Sequence, residues 1–353
     1  MYACHAATVA VLFTLSASAC SGWKAPSTDR QGDGGSDPGT GGQSEDPPDP
    51  PPGSSTDTGT AAADGFYVDP ASNSANWVKD HSDDTRATAI QSNIASKAAA
   101  HWFGNWDSNI STDVSNYVGA AATANKWPIL VAYNIPGRDC GGASSGGAGS
   151  PDAFRTWIAS FATAIGTRRA IVIIEPDSLA QLDCLPSDAD RQTRLDLVRY
   201  ATEQFRDKAP NARAYVDGGN AQWIAAATMA QRLDSGGVHN VRGFAVNVSN
   251  FYTTAESTTY SNDVRAALSQ QFGYTAPFVI DTSRNGKGAS GGSDSWCNPA
   301  GRKLGTPSQF EGGADALLWV KAAGDSDGPC GTAPNTPAGT FSPDLAINLI
   351  NGT

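Results

Sequence analysis

Residues 170–177 read Ala-Ile-Val-Ile-Ile-Glu-Pro-Asp, an uninterrupted apolar run that ends on two carboxylic acids. Short runs of branched aliphatic residues, separated by longer helical stretches, are typical of buried parallel strands. The chain repeats this pattern, and each run stops on a polar side chain able to do chemistry or hold a ligand. The six runs are residues 129–132, 170–174, 212–216, 243–246, 278–280 and 317–320.

The stretches between the runs have helical periodicity. Apolar residues recur at three- and four-residue spacing between 195 and 205, with Ser187 upstream as a candidate N-cap. With a first strand over residues 99–103, seven strands alternate with helices, which predicts an α/β fold: a distorted, seven-stranded (β/α) TIM-like barrel. An open doubly wound sheet is the alternative, but the glycine-rich phosphate fingerprint after its first strand is missing. In a barrel, the polar side chains that follow the strands would share one face.

The first 20 residues are typical of an export signal. Residues 7–19 form a short apolar core followed by small residues before Cys20, too short for a permanent membrane span. The small residues before Cys20 resemble a lipoprotein cleavage box, which would anchor the chain through a lipid on Cys20. No Lys or Arg precedes the core and Ala17 stands where Leu is usual, so simple cleavage near Ala19 is the alternative. We expect a secreted protein, or one held at a bacterial cell surface.

Residues 21–64 are rich in Pro, Gly, Ser and Asp and predict a disordered linker. This segment carries eight of the acids against Lys24 and Arg30, so it holds much of the net charge of −11. The remaining residues, 65–353, show no second linker and are interpreted as one catalytic domain. Nothing in them resembles a basic stripe, which argues against nucleic acid as a partner. We expect a monomer.

Four cysteines lie in the predicted domain: Cys140, Cys184, Cys297 and Cys330. An even number in an exported chain predicts two disulfides, for which three pairings are open. The cysteine spacings are not those of zinc motifs, and the four histidines show no ligand spacing. The sequence therefore predicts neither a metal nor a cofactor.

Several motifs together resemble one enzyme family. They cover residues 133–140 (Tyr-Asn-Ile-Pro-Gly-Arg-Asp-Cys), 174–177 (Ile-Glu-Pro-Asp), 280–286 (Ile-Asp-Thr-Ser-Arg-Asn-Gly), 296–297 (Trp-Cys) and 319–321 (Trp-Val-Lys). In this order they resemble glycoside hydrolase family 6, the inverting β-1,4-glucanases (cellulases), over about residues 66–350. The resemblance implies a distorted seven-stranded barrel and a β-1,4-glucan substrate such as cellulose or cello-oligosaccharides.

The resemblance also implies catalytic roles. Breaking a glycosidic bond with inversion requires one carboxylic acid that stays protonated and one base that activates water. Asp177 matches the family's proton donor, and Asp139 matches a carboxylate that keeps the pKa of the donor high. Asp327 matches the proposed base, although Asp139 acting through a chain of waters is an alternative. Glu175, two residues before Asp177, is interpreted as a structural hydrogen-bond acceptor.

Other positions match residues that hold the sugar. Tyr133 matches a residue that crowds the sugar at the cleavage point, and Ser145 one that holds the water. Ser145 lies on the glycine-rich stretch 141–149, which has the composition of a mobile lid. Trp106, four residues past Trp102, could line the cleft, but it is not counted among the predicted binding residues. The predicted substrate-binding residues, which include stacking tryptophans and hydroxyl-binding groups, are Trp102, Asp217, Asn220, Trp223, Asn247, Trp296, Lys321 and Asp325.

The sequence departs from the family pattern at three binding positions. Asn220 stands where many members have His, Asp325 where Glu is usual, and Thr253 where some bacterial members carry Trp. None of these is a predicted catalytic carboxylate, so we expect activity.

The resemblance further implies the disulfides Cys140–Cys184 and Cys297–Cys330, each of which closes a loop that bears site residues. The second of these loops is short and the domain is compact for the family. Both observations favour an open cleft and cleavage within the glucan chain, as in an endoglucanase. A cellobiohydrolase of the same family is the alternative.

Two other function classes have less support in the sequence. A catalytically idle glucan-binding protein would keep the cleft, but retention of Asp139, Asp177 and Asp327 argues against it. A barrel aldolase or phosphate-binding enzyme would need a Schiff-base lysine or a phosphate loop. Lys321 is the sole lysine at the end of a predicted strand, and no phosphate loop is evident.

Overall fold

The computed structural model describes residues 65–292, 295–310 and 313–353. The predicted signal peptide, residues 1–20, and the predicted linker, residues 21–64, lie outside the described residues. Seven strands form one sheet in which every neighbouring pair is parallel. In chain order they are β1 (His101–Phe103), β2 (Ile129–Ala132), β3 (Ala170–Ile174), β4 (Ala212–Asp217), β5 (Gly243–Val246), β6 (Phe278–Asp281) and β7 (Ala316–Leu318).

The strands follow one another around the sheet in the order β1-β2-β3-β4-β5-β6-β7. A doubly wound sheet would reverse its direction of growth at a switch point, and no such reversal occurs here. The sheet is curled and flanked by helices, so the predicted distorted seven-stranded (β/α) barrel is confirmed. The carboxyl ends of all seven strands therefore face the same way, and the loops that follow them meet on one side of the barrel.

Most of the helices begin after a Ser, Thr or Asn whose side chain accepts a backbone N–H of the first turn. Ser187 precedes the longest helix, and its hydroxyl accepts a hydrogen bond from the backbone N–H of Asp190 at 3.1 Å, as predicted. No helix in the described ranges combines the length and the apolar character that crossing a membrane requires. The helices are α1 (Asn73–Asp80), α2 (Ala87–Ile90, continued by a wider π turn over Gln91–Ala95), α3 (Ile110–Thr123), α4 (Pro151–Ile165), α5 (Asp188–Lys208), α6 (Ala226–Ser235), α7 (Thr254–Phe272) and α8 (Pro343–Asn351).

Strand β3 shows how the apolar runs are buried on both faces. Ile171 and Ile173 belong to the apolar cluster inside the barrel, whereas Val172 and Ile174 pack in the layer between the strands and helices such as α4. Successive side chains of a strand point to opposite faces, so a run without polar residues needs apolar contacts on both sides. All five residues of β3 are buried.

The barrel is closed between β1 and β7 by hydrogen bonds outside the regular ladder. The backbone N–H of Ala100 donates to the carbonyl of Trp319 at 2.8 Å, and the indole N–H of Trp102 donates to the carbonyl of Val320, also at 2.8 Å. These contacts bring Trp102, in the middle of the first strand, beside the residues that follow the last strand.

The predicted bounds of the two outer strands were too long. The first strand spans three residues rather than 99–103, because the N–H of Ala100 bonds across the seam instead of to β2. The last strand ends at Leu318 rather than residue 320. Beyond it, the N–H of Trp319 bonds to the Ser308 hydroxyl at 2.8 Å, and that of Val320 bonds to the Asp281 carboxylate at 3.2 Å. Side chains thus replace the neighbouring strand as partners.

Candidate active site

A cleft of about 1180 Å³ lies at the carboxyl ends of the strands. Its walls come from the loops after the strands and from the segment that leads into α1. Eleven of the thirteen predicted catalytic and substrate-binding residues line it: Trp102, Tyr133, Asp139, Ser145, Asp177, Asn220, Trp223, Trp296, Lys321, Asp325 and Asp327. Asp217 and Asn247 are not among its lining residues.

Asp177 lies in the turn that follows β3, with a positive φ of 69°. Its pKa is raised well above the ordinary value by burial, by the neighbouring Asp217 and by Asp139, in that order. A carboxyl group in this setting keeps its proton at a pH at which an exposed aspartate would be ionised. The position and the raised pKa together suit a group that donates a proton into the cleft.

Asp217, at the end of β4, lies beneath Asp177 rather than in the cleft. Its Oδ1 accepts hydrogen bonds from the backbone N–H of Asp177 at 3.1 Å and of Gly219 at 3.0 Å. Burial raises the pKa of Asp217 to about 7, against the effect of these two bonds. Asp217 does not line the cleft, so its position does not support the predicted direct contact with a substrate.

Glu175 is fully buried between β2 and β3. Its carboxylate accepts backbone N–H bonds from Asn134 at 2.9 Å and 3.0 Å and from Ile135 at 2.9 Å. Burial raises the pKa of Glu175 to about 7, and these bonds oppose the rise. The contacts agree with the structural interpretation of Glu175, which fixes the loop that begins at Tyr133.

Asp139 opens the loop 141–149, here called the lid loop. Its Oδ2 accepts a hydrogen bond from the backbone N–H of Ser144 at 2.6 Å, and its Oδ1 accepts a longer one from Gln181 at 3.4 Å. The next residue, Cys140, is disulfide-bonded to Cys184, with 6.2 Å between the two Cα atoms. Asp139 has a positive φ of 58°, a backbone conformation that L-residues adopt at a cost. The lid loop is thus tied down at its start.

Arg138 was not predicted as a site residue, yet it joins the lid loop to Tyr133. Its guanidinium donates to the carbonyl of Ser144 at 2.7 Å and to the carbonyl of Tyr133 at 3.0 Å. The same group lies over the Tyr133 ring, with its carbon 4.7 Å from the ring centroid. Burial, Asp177 and Asp139 raise the pKa of Tyr133, so its hydroxyl stays neutral.

Asp327 is buried in a cluster of cations and amides. Its Oδ2 accepts from Arg284 at 2.7 Å and from the backbone N–H of Asn298 at 3.1 Å, and its Oδ1 lies 3.2 Å from the Lys321 ammonium. Burial alone would raise the pKa of Asp327, but Arg284, Lys321 and the hydrogen bonds bring it below the ordinary value. Asp327 is therefore ionised at a pH at which Asp177 still holds its proton.

Neither Arg284 nor Asn298 was predicted as a site residue. Arg284 lies within the matched motif at residues 280–286, and a cation is what a buried carboxylate needs, so the sequence held a usable signal. Asn298 follows Cys297, whose disulfide to Cys330 has 6.0 Å between Cα atoms. Both implied disulfide pairings are thus present in the structure.

Asp325 and Lys321 lie side by side in the cleft wall. Burial raises the pKa of Asp325 to about 6, which Lys321 and a hydrogen bond from the Asn73 amide at 2.9 Å counteract. The Lys321 ammonium also donates to the carbonyl of Ser326 at 3.1 Å. Both positions suit recognition of sugar hydroxyls by charged groups.

Asn247 follows β5 but is fully buried away from the cleft. Its amide donates to the carbonyls of Tyr252 at 3.0 Å and Asp281 at 2.8 Å and accepts from the Tyr252 N–H at 3.1 Å. These bonds use its amide oxygen and both amide hydrogens. The predicted contact with a sugar hydroxyl therefore does not fit its position, and Asn247 instead holds the loop after β5 against β6.

The remaining predicted residues lie where their side chains can contact a bound ligand. Trp102 is partly buried and hydrogen-bonded to Val320, while Trp223 and Trp296 expose much of their rings to the cleft. Asn220 is nearly buried and accepts a backbone N–H bond from Gln222 at 3.1 Å. Within residues 65–292, 295–310 and 313–353, no three His, Cys, Asp or Glu side chains are grouped so that they could hold a metal ion.

Comparison with known proteins finds relatives that are named as endoglucanases. The chain is 48% identical over 295 residues to endoglucanase 1 of Streptomyces halstedii, across 83% of this chain and 90% of that protein. It is 39% identical over 290 residues to endoglucanase A of Thermobispora bispora, across 80% of this chain but only 61% of that longer protein.

A solved structure gives the same result. The endoglucanase Cel6 from Mycobacterium tuberculosis, in complex with methyl-cellobiosyl-4-deoxy-4-thio-β-D-cellobioside, superposes with a TM-score of 0.75 at 39% identity. The match covers 81% of this chain and 96% of that chain. The sequence pattern described as "Glycosyl hydrolases family 6" matches residues 59–353. This chain is a glycoside hydrolase and belongs to glycosyl hydrolase family 6.

Proposed function

We propose that this protein is an inverting endo-β-1,4-glucanase that hydrolyses internal bonds of cellulose and related glucans, and that it acts outside the cytoplasm. The observation that carries the proposal is a pair of carboxyl groups in one cleft, one protonated and the other ionised. Asp177 has a pKa raised well above the ordinary value, and Asp327 has one below it. Pairs of titratable groups whose environments push their pKa values apart are typical of acid and base assignments.

In the proposed reaction, Asp177 gives its proton to the oxygen of the leaving sugar as the glycosidic bond breaks. Asp217 lies beneath Asp177 and Asp139 lies near it, and a negative charge on either disfavours ionisation of Asp177. Water attacks the anomeric carbon from the opposite face and gives up its proton to a base. The neutral hydroxyl of Tyr133 lines the cleft beside this centre.

Asp327 is the base in this proposal. It is ionised and lines the cleft, but its bonds to Arg284 and Lys321 lower its pKa and so weaken it as a proton acceptor. Asp139, acting through a chain of waters beside Ser145, is the alternative base. The bond from the Ser144 N–H holds Asp139 close to Ser145 along the chain, which supports this alternative.

Endo action is supported by the exposed platforms and by the relatives. Trp223 is 41% exposed and Trp296 47% exposed, which suits a cleft that a chain can enter from the side. The proteins named above are called endoglucanases, and the family also contains cellobiohydrolases.

The proposals of export and of a lipid anchor on Cys20 rest on the sequence of the first 20 residues. The two disulfides are consistent with an oxidising compartment.

Proton NMR on cellopentaose tests the reaction. We expect the α-anomer to appear first, because inversion converts a β-linkage into an α-product. Early β-anomer would mean retention and would overturn the mechanism.

The Asp177→Asn variant tests the general acid. It should lower turnover at least ~100-fold, as for loss of a general acid, while its Tm stays near that of the parent. Turnover near the parent level in this variant would refute the role of Asp177.

Endo action has its own test. Carboxymethyl-cellulose should lose viscosity early relative to the release of reducing ends, because internal cuts shorten chains fastest. Release of reducing ends without an early fall in viscosity would favour the cellobiohydrolase alternative.

A further inference from the structure

Trp106, in the loop after β1, is the most exposed large apolar side chain in the described part of the chain, at 53%. It lines the active-site cleft, and it is not among the substrate-binding residues predicted from the sequence. An indole left half in water loses the free energy that its burial would give, so a large exposed ring in a cleft wall marks a place where a ligand can cover it.

The indole is held by a fixed cation. The Arg138 guanidinium carbon lies 5.1 Å from the Trp106 ring centroid. Arg138 is itself held by the Asn105 side chain at 2.8 Å and by the carbonyls of Tyr133 and Ser144. Because these bonds fix the guanidinium, they also fix the ring that stacks on it.

Gly104 provides the second support. A Cβ at this position would lie only 2.5 Å and 2.6 Å from two carbons of the Trp106 ring, so the indole occupies the space that a side chain at 104 would need. The carboxylate of Asp107 accepts the Gly104 N–H at 2.7 Å and closes the turn around the ring. An aromatic ring positioned before binding loses little conformational entropy when a ligand stacks on it.

Trp106 also ends a row of ring contacts along the cleft wall. The rings of Trp102 and Tyr133 meet edge to face at 5.2 Å, Arg138 covers Tyr133, and Trp106 covers Arg138. Trp106 is the exposed end of this row, whereas Trp102 and Tyr133 are partly or wholly buried.

We propose that Trp106 is a sugar-stacking residue that takes the apolar face of a glucosyl unit of the bound glucan, in addition to the predicted platforms at Trp102, Trp223 and Trp296. A pyranose offers C–H groups on its face and hydroxyls at its edge, so it stacks on an indole without losing the hydration of the hydroxyls. The inference rests on the proposed function, because it takes a β-1,4-glucan as the ligand.

Calorimetric titration with cellohexaose tests the inference in an Asp177→Asn background, which prevents hydrolysis. Trp106→Ala should weaken binding about 10-fold, as for the loss of an aromatic anchor, and Trp106→Phe should weaken it less. Gly104→Ala should also weaken binding, because the new methyl group displaces the indole that is still present. Phe272→Ala removes a 38% exposed ring outside the cleft lining and is the matched control, with affinity expected at the parent level.

The outcomes separate this inference from the proposed function. If the Asp177→Asn protein binds no cellohexaose, the proposed function fails. If it binds and Trp106→Ala or Gly104→Ala leaves the affinity unchanged, the platform is refuted and the proposed function stands. In the active enzyme, Trp106→Ala should raise KM more than it lowers kcat. A fall in kcat with unchanged KM would instead mean that Trp106 only supports the lid loop through Arg138.

Discussion

Replacing Arg284 by Met should destabilise the protein more than loss of any surface ion pair. The side chains of Arg284 and Asp327 are only 3% and 6% exposed, and the substitution leaves the buried carboxylate with Lys321 at 3.2 Å. Removing one partner of a buried pair costs about 3–5 kcal/mol, and the remaining ammonium favours the lower end. For a domain of this size, about 3 kcal/mol corresponds to a fall in Tm of about 6 °C.

The loss should depend on pH in a definite direction. In the parent, the pKa of Asp327 lies below its ordinary value of 3.8, so its contribution to stability is present above that pH and is lost as pH falls through the folded pKa. Without Arg284 the pKa rises, because burial is less opposed. The stability difference between parent and variant should therefore be largest at neutral pH and should shrink in acid, as Asp327 becomes protonated in both proteins.

The matched control is Arg242→Met. Arg242 donates twice to Asp315, at 2.7 Å and 3.0 Å, but the side chains are 37% and 17% exposed and solvent screens the pair. Its loss should cost at most about 1 kcal/mol, or about 2 °C. Thermal unfolding at about pH 7 and about pH 3 measures both variants. Equal Tm values for the two variants at neutral pH would refute the argument that burial decides the worth of the Arg284 pair.

Three further changes follow from the site. Asp217→Asn removes a neighbouring negative charge, so the pKa of Asp177 falls and the alkaline limb of the kcat/KM profile moves to lower pH; an unmoved limb would contradict their coupling. Trp102→Ala should weaken cellohexaose binding about 10-fold by calorimetry, and unchanged affinity would place Trp102 outside the path of the glucan. Replacing Cys297 and Cys330 by Ala opens a loop of 33 residues, which predicts about 3–4 kcal/mol of lost stability in thermal unfolding, and an unshifted Tm would contradict this.

Strand positions were readable from the sequence because the burial of parallel strands on both faces leaves an apolar signature. The runs at 129–132, 170–174 and 243–246 coincide with β2, β3 and β5. The outer strands were not readable to the residue, since their ends depend on partners far along the chain. Ser308 and Asp281, which take the N–H groups after β7, have no local sequence signal for that role.

In the site, too, the local sequence predicted where a residue lies but not which distant residues its side chain contacts. A residue after a strand can be placed at the correct face of the barrel, but the direction of its side chain depends on its neighbours. Asp217 ends β4 and Asn247 follows β5, yet both turn into the interior to satisfy backbone groups, and neither lines the cleft. Arg284 and Arg138 were missed because their partners, Asp327 and Ser144, lie on other loops or beyond a turn.

The bond between Cys140 and Cys184 has a consequence for where the enzyme can work. Cys140 directly follows Asp139, so one covalent link fixes the carboxylate next to the proton donor as well as the start of the lid loop. A chain whose thiols are still reduced would lack this restraint and would hold Asp139 less firmly. Catalytic competence would then depend on oxidation of these two thiols, which would couple the activity of the site to the redox state of its surroundings.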